Sequence, residues 1–228
     1  MAFTLKPAVG ENFVDREDIL NEMTETLTDP RLDMGFALVG QRRIGKTSIL
    51  KELVNRFSER EDIATVYLSL WDLIENSLLE FCQKLSLLMV DACKNRLGVK
   101  YKIAHLGKVP STKVLAFLKS IDLKIRVLED IEFSLNLRRN EPHEPNFLVE
   151  KTFWSIENLA KELDLRTILI LDEFPSLMDL KDGKKLGEGM VKKLLVQFIG
   201  KQLDRRKKSE ISVALIESIF HHILIVAS

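Results

Sequence analysis

The feature that most constrains this chain is the run of residues 40–47, which has the sequence GQRRIGKT. The run matches the pattern G-x-x-x-x-G-K-[ST] of a phosphate-binding loop. Residues 36–39 before it are apolar and predict a strand, and residues 46–58 after it have apolar side chains at helical spacing. Glycine lets backbone wrap closely around phosphate, and the following helix N-terminus presents its amide dipoles to the anion. The order strand, glycine loop, helix therefore predicts a phosphate-binding loop and not an accidental turn.

The positions of this loop have different expected roles. Lys46 is expected to reach the β and γ phosphates of a nucleotide and to count among the catalytic residues, and Thr47 is expected to bind magnesium. A guanidinium in the loop can fork onto phosphate or a carboxylate, but it can also face solvent or a partner subunit. The predicted nucleotide-binding residues here are Gly40, Gln41, Arg42, Arg43, Ile44, Gly45, Lys46, Thr47 and Ser48.

A second motif follows the most apolar, β-branched segment of the chain, Thr167 to Leu171, which predicts a buried strand. The strand ends in Asp172 and Glu173, and this resembles the Walker B element of P-loop ATPases. Asp172 is then expected to hold magnesium through water, and Glu173 to deprotonate the water that attacks the γ phosphate. The alternative is that two solvated acids simply end the strand. The phosphate loop favours the catalytic interpretation.

Periodicity predicts the remaining elements. Between residues 121 and 137 apolar side chains alternate with polar ones, which predicts a β-hairpin turning near Glu129 and Asp130. Strands separated by helices indicate a parallel sheet whose ligands bind at the carboxyl ends of the strands. The other predicted elements are a helix over 15–29, a strand over 63–70, one or two helices over 73–97, a helix over 147–163 and a candidate strand over 223–228.

One helix upstream of the phosphate loop lies a short box formed by Phe13, Val14 and Arg16. With this box and a loop containing two arginines, the chain resembles the archaeal ATPase family, which is related to the STAND and AAA+ P-loop ATPases. The resemblance implies that the three box residues lie near the adenine and that the next helix closes one side of the base pocket. The alternative is an ordinary helix start with a buried Phe13 and a surface Arg16.

The expected fold is a three-layer αβα P-loop NTPase with a mainly parallel sheet, forming one domain over residues 1–228. Its expected parts are 11–72 with the box and loop, 73–146 as a helical and β-hairpin insertion, and 147–228 with the acidic pair. The likeness to the family weakens after Lys193, and Ser228 is the candidate for the family's polar sensor residue. Since no residues remain for a fifth strand, a helical lid or a winged helix, the C-terminal part of the core is predicted to be incomplete.

Composition limits the partners. The 34 basic and 34 acidic residues balance, so no overall field attracts nucleic acid or an anionic membrane. No apolar run approaches the roughly 20 residues that span a bilayer, which predicts no membrane insertion. Cys82 and Cys93 fall too far apart in one predicted helix to be bridged, which favours a cytoplasmic location. The basic run 205–208 is compatible with contact to a nucleic-acid backbone, with a trans-acting arginine finger or with a solvated turn.

These observations predict an enzyme that hydrolyses ATP with Mg²⁺ to drive a conformational or assembly change. ATP and ADP are the expected ligands, and a protein partner or homo-oligomer is left open. Adenine is preferred to guanine on the family resemblance, because the chain has no N-K-x-D motif. One alternative is a nucleotide-gated binding module with little or no hydrolysis. Another is a DNA-transaction factor similar to the replication initiators, although the neutral net charge argues against nucleic-acid binding.

Overall fold

A computed structural model describes residues 7–13, 16–29, 31, 36–41, 43–93, 111–119, 123–136, 145–180 and 223–227. The described helices are α1 Glu17–Thr28, α2 Lys46–Phe57, α3 Leu78–Ala92, α4 Ser111–Leu118, α5 Ile125–Leu135 and α6 Pro145–Glu162. The described strands are β1 Phe36–Leu38, β2 Ile63–Ser69, β3 Arg166–Asp172 and β4 Ile223–Ala227. Short 3₁₀ helices span Gly10–Asn12, Leu70–Asp72 and Phe174–Asp179.

The described strands form one parallel sheet in the order β1-β4-β3-β2. Leu38 of β1 lies opposite Ala227 of β4, and Ser69 of β2 lies opposite Asp172 of β3. The carboxyl ends of all these strands therefore meet at one edge of the sheet. The strands predicted at 36–39, 63–70, 167–171 and 223–228 are confirmed to within two residues, and so is their parallel arrangement.

Alternate side chains of β3 enter two separate core clusters. Ile168 and Ile170 join a smaller cluster built mainly on α1 and α2, whereas Leu169 and Leu171 join a larger cluster that includes residues of α3 to α6. Successive side chains of a strand point to opposite faces of the sheet. The helix that follows the phosphate loop and the helices of residues 78–162 thus cover different faces.

The smaller cluster explains where α1 and α2 form. Leu20, Met23 and Leu27 are the buried stripe of α1, and their spacing is that of one helix face. The buried apolar side chains of α2 recur at the same period, and Arg56 on its last turn pairs with Glu17 of α1. Both helices are therefore fixed to the sheet by apolar burial and to each other by an ion pair.

The predicted β-hairpin over 121–137 is wrong: its described part contains the helix α5. Val127, Ile131 and Leu135 are buried, and their spacing of four residues fits one face of a helix as well as the alternation of a strand. Ile125, which the hairpin would have buried on the same face as Val127, is 76% exposed. The contacts of this segment with α6 and α3 favour the helical period over the alternation of a strand.

The segment between β2 and α3 has a well-defined cap. Ser77 accepts a hydrogen bond from the backbone N–H of Glu80 at 3.2 Å, and the Glu80 carboxylate accepts the N–H groups of Ile74 and Glu75 at 2.7 Å each. Ser77 thus caps the helix through its side chain, and the Glu80 carboxylate fixes the loop before the helix. Trp71, in the 3₁₀ helix directly after β2, is 59% exposed.

None of the described helices is both long enough and apolar enough to cross a membrane. The four histidines, the basic run 205–208 and the proposed sensor Ser228 lie outside the described residues.

Candidate functional site

The phosphate loop lies between the end of β1 and the start of α2. Gly45 has a φ of 94°, a left-handed conformation that any other residue adopts with strain. Its carbonyl accepts the N–H of Ile49 at 3.1 Å, so α2 begins directly after this turn. A Cβ on Gly40 would collide with the side chain of Ile44. The two glycines thus occupy positions where the loop turns or approaches itself closely.

Lys46 points back over the loop that precedes it. Its ammonium donates hydrogen bonds to the carbonyl of Gly40 at 2.7 Å and to that of Gln41 at 3.0 Å. The positive charge is therefore placed inside the turn, beside the N-terminus of α2. This is where a helix and its amides favour an anion.

The other predicted loop residues differ in exposure. Gln41, Arg43 and Ile44 are exposed, and Arg43 has a φ of 69°. Thr47 is half-buried in the first turn of α2. Arg42 lies outside the described residues.

The acidic pair lies at the same edge of the sheet. Asp172 is only 4% exposed and lies on the face of β3 that carries Ile170, toward α2. Its Oδ1 accepts the backbone N–H of Glu173 at 3.0 Å, and its Oδ2 accepts the hydroxyl of Tyr67 at 2.8 Å. Both carboxylate oxygens are thus oriented by donors.

Glu173 has a φ of 55°, which turns the chain sharply at the end of β3. The left-handed conformation costs a non-glycine residue about 1–2 kcal/mol, and such strain is concentrated at functional sites. Buried Phe174 and Leu177 anchor the 3₁₀ helix that follows. The half-buried Glu173 side chain is therefore presented from a fixed backbone position.

Tyr67 is a site residue that sequence reasoning missed. It lies on β2, 105 positions before Asp172, so no local motif connects the two residues. Burial and then the hydrogen bond to Asp172 raise the pKa of Tyr67, which keeps its hydroxyl protonated as a donor. The available signal was its position two residues before the end of a strand, on the face that alternation assigns to the site.

One strand, β4, separates β1 from β3. Because neighbouring strands are about 4.8 Å apart, the loop and the acidic pair begin about 10 Å from each other along the edge. A buried carboxylate and a threonine hydroxyl are oxygen donors of the kind that Mg²⁺ takes together with phosphate and water. Within the described ranges, no group of three or more His, Cys, Asp or Glu residues could hold a metal. The oxygen donors of Asp172 and Thr47 are nevertheless of the kind that fits a magnesium ion.

The N-terminal box is close to the phosphate loop. Nη1 of Arg16 is 3.6 Å from the position that a Cβ on Gly45 would occupy, and Phe13 packs against the smaller core cluster. Arg16 itself has a φ of 70° and immediately precedes α1. Val14 lies outside the described residues. The structure thus brings Phe13 and Arg16 to the side of the loop that α1 and α2 cover.

The residues before this box run along α2. The backbone N–H of Ala8 donates to Ser48 Oγ at 3.1 Å, and that of Gly10 donates to Glu52 Oε2 at 2.7 Å. Glu52 is 8% exposed, so its carboxylate is stabilised by this contact in a buried setting. The start of the described chain is therefore tied to the helix that begins at the phosphate loop.

Cys82 and Cys93 are free thiols, as predicted, and lie in and directly after α3. Burial raises the pKa of each to about 12. A thiol with such a pKa is not a nucleophile near neutral pH. These cysteines therefore belong to the larger core cluster and not to the site.

A family of sequences described as an ATPase domain predominantly from Archaea matches residues 13–226. The chain belongs to this archaeal ATPase family. The match continues past Lys193, the point after which the likeness was expected to weaken. No curated protein gave a significant match.

Among solved structures, a Walker-type ATPase of Pyrococcus abyssi is similar to this archaeal ATPase domain, with a TM-score of 0.51 and 18% sequence identity. The alignment covers 99% of this chain and 48% of that protein, so the chain spans about half the length of its structural neighbour. At this identity the likeness shows the fold, which is the α/β fold with a parallel sheet found in Walker-type ATPases.

Proposed function

We propose that this archaeal ATPase domain binds ATP with Mg²⁺ at the carboxyl edge of its sheet and hydrolyses the γ phosphate. The observation that carries the proposal is the placement of two motifs. Lys46 and Thr47 begin α2, the helix that follows β1. Asp172 ends β3 and Glu173 follows it at the same edge of the sheet, with only β4 between β1 and β3. Membership of an ATPase family supports the assignment.

The loop residues bind the phosphates in this proposal. Lys46 leaves the carbonyls of Gly40 and Gln41 and pairs with β and γ phosphate oxygens, while the first amides of α2 donate to the same oxygens. Thr47 and Asp172 would hold the magnesium ion, which would supply positive charge to offset the negative charge that develops on the phosphates. Phe13, Val14 and Arg16 remain proposed contacts to the adenosine side of the nucleotide.

Glu173 is the proposed general base. Its carboxylate accepts a proton from the water that attacks the γ phosphorus as the bond to the bridging oxygen breaks. Among the described residues, no ion pair engages this carboxylate, and the anchored 3₁₀ helix fixes its backbone. In this proposal Asp172 binds the metal, and Glu173 takes a proton from the attacking water.

The finer classification is also part of the proposal. The two core clusters on opposite faces of the sheet support a three-layer P-loop domain of the STAND and AAA+ related kind. In such a domain, the bound nucleotide drives a conformational or assembly change. A cytoplasmic location and a protein partner or homo-oligomer stay predictions.

The test is magnesium-dependent phosphate release from ATP by the purified chain, with nucleotide binding measured in parallel. We expect Lys46→Ala to lose both binding and turnover, because the lysine contacts the phosphates. We expect Glu173→Gln to bind nucleotide normally and to hydrolyse it about 10²- to 10⁴-fold more slowly. Lys51→Ala, which removes a half-buried lysine one turn further along α2, is the matched control and should keep both properties.

Two outcomes would contradict the proposal. Binding that depends on Lys46 without any phosphate release would leave only a nucleotide-gated binding module. Phosphate release that survives in Lys46→Ala would assign the activity to a contaminant or to another site.

A further inference from the structure

The hydrogen bond between Tyr67 and Asp172 joins two strands of the sheet. In the register of β2 and β3, Tyr67 lies opposite Ile170, and Ser69 lies opposite Asp172. Tyr67 and Asp172 therefore share one face, and the long phenol side chain reaches forward along it to the carboxylate. The 2.8 Å distance from the hydroxyl to Oδ2 is that of a well-formed O–H···O bond.

The two oxygens of Asp172 have different kinds of partners. Oδ1 accepts the N–H of the next residue, a contact that the turn at Glu173 supplies locally. Oδ2 accepts the hydroxyl from another strand. Rotation of the carboxylate about its Cβ–Cγ bond would break both contacts, so Tyr67 and the turn together fix one orientation of a side chain that is 4% exposed.

We propose that Tyr67 is a positioning residue, which orients Asp172 through this hydrogen bond so that the carboxylate presents a fixed oxygen to magnesium. The inference rests on the proposed function, because it assigns to Asp172 the role of a magnesium ligand. Partners that orient a metal-binding carboxylate typically change metal affinity by 10- to 100-fold when they are removed.

Tyr67→Phe is the variant to test, since it removes one oxygen and keeps the ring in the smaller core cluster. Thr65→Val is its matched control. Thr65 lies two residues earlier on the same face of β2, and its buried hydroxyl has no hydrogen-bond partner among the described residues. Both variants remove a hydroxyl from this face, but only one removes the contact to Asp172.

The measurement uses a fluorescent ADP analogue, titrated onto each protein in EDTA and then across a range of Mg²⁺ concentrations. We expect Tyr67→Phe to bind the analogue in EDTA as the wild type does and to need about 10-fold more Mg²⁺ for the half-maximal magnesium effect. Thr65→Val should match the wild type in both conditions. Thermal unfolding of each protein measures any general loss of stability.

The results separate the two proposals. If Tyr67→Phe lowers only the unfolding temperature and keeps the wild-type magnesium profile, the hydroxyl has a structural role and the inference is wrong. If the wild type shows Lys46-dependent binding that Mg²⁺ does not affect, the magnesium site itself is overturned. If the wild type does not bind the analogue at all, the proposed function fails first, and the role of Tyr67 fails with it.

Discussion

One face of the sheet packs against α1 and α2, and the other packs against the helices of residues 78–162. Among the described residues, the second face has much the larger apolar cluster. The smaller face has the helix that begins at the phosphate loop, the buried Asp172 and the tyrosine that contacts it. Buried apolar residues and the candidate site residues are thus unevenly divided between the two faces.

This difference has a physical consequence. Leu171, Phe174 and Leu177 of the larger cluster flank the acidic pair, but its residues on α3 lie on the opposite face of the sheet from α2. A substitution on α3 should therefore change the free energy of unfolding and leave nucleotide affinity alone. A substitution under α2 shifts the helix that positions Lys46 and Thr47, so it should change both. The structure therefore predicts that stability and binding can be separated on one face but not on the other.

The largest expected effect comes from a matched pair of leucines, Leu85 of α3 and Leu50 of α2, which are both 0% exposed. Replacing either with alanine should lower the free energy of unfolding by about 2–5 kcal/mol, because the lost contacts leave a cavity. Urea denaturation measures that change, and nucleotide titration of the folded variants measures affinity. Only Leu50→Ala should bind nucleotide more weakly. Equal losses of nucleotide affinity in both variants would contradict the prediction that only the α2 face affects binding.

A smaller effect is expected at Glu52, whose buried carboxylate accepts the N–H of Gly10 at 2.7 Å. Glu52→Ala should lower the free energy of unfolding by about 1–3 kcal/mol, because a hydrogen bond to a charged group is lost at a buried site. Glu52→Gln keeps an acceptor oxygen and should lose less. The exposed Glu59, just beyond α2, gives the control Glu59→Ala. If Glu52→Ala and Glu59→Ala unfold at the same urea concentration, the contact does not fix the N-terminal segment to α2.

The smallest effect is a pH dependence at the end of α1. Hydrogen bonds from Arg31 lower the pKa of Asp29 to about 2, below the ordinary value of 3.8. A lowered folded-state pKa stabilises the protein above the ordinary pKa, and this contribution disappears as the pH falls through the folded value. The wild type should therefore lose its small advantage over Asp29→Asn between about pH 4 and pH 2.

Urea midpoints at a series of pH values measure this advantage, and Glu25→Gln is the control on the same helix. Because Asp29 and Arg31 form a surface pair, solvent and salt weaken their attraction, and added salt should reduce the difference further. A difference that grows at low pH would contradict the assignment to this carboxylate.

The phosphate loop could be predicted from the sequence because its determinants are contiguous. Gly40, Gly45 and Lys46 act through local backbone geometry, so their spacing in the chain already specifies the turn that the structure shows. The strands before and after it were predictable for a related reason, since buried parallel strands are short, continuous apolar runs. The local sequence was therefore sufficient to predict the loop and these strands.

The hairpin prediction failed because two periods coincide in the segment of α5. Apolar residues at positions 127, 131 and 135 satisfy both alternation and a helix face, and only burial decides between them. Leu128, which packs against the larger cluster, and buried Ser134 fit the helix and not the strand. Tertiary contact with α6 supplied the information that the local pattern lacked.

The contact between Tyr67 and Asp172 could not be predicted for a different reason, although the position of Tyr67 near the end of a strand was visible in the sequence. Its role depends on the register of β2 against β3, and sequence alone did not specify that these strands are neighbours or that Tyr67 lies two residues behind Asp172. The sequence motifs predicted the local parts of the site but not a contact between residues that are far apart in the chain.

The exposed Trp71 gives the protein an optical probe in a useful position. The chain has two tryptophans, and the second, Trp154, lies on α6. Trp71 lies two residues after the end of β2, whose last residue is opposite Asp172, and its 3₁₀ helix contacts the one that follows Glu173. In a Trp154→Phe background, tryptophan fluorescence would come from the carboxyl edge of the sheet alone. Changes at that edge could then be followed in real time without any added label.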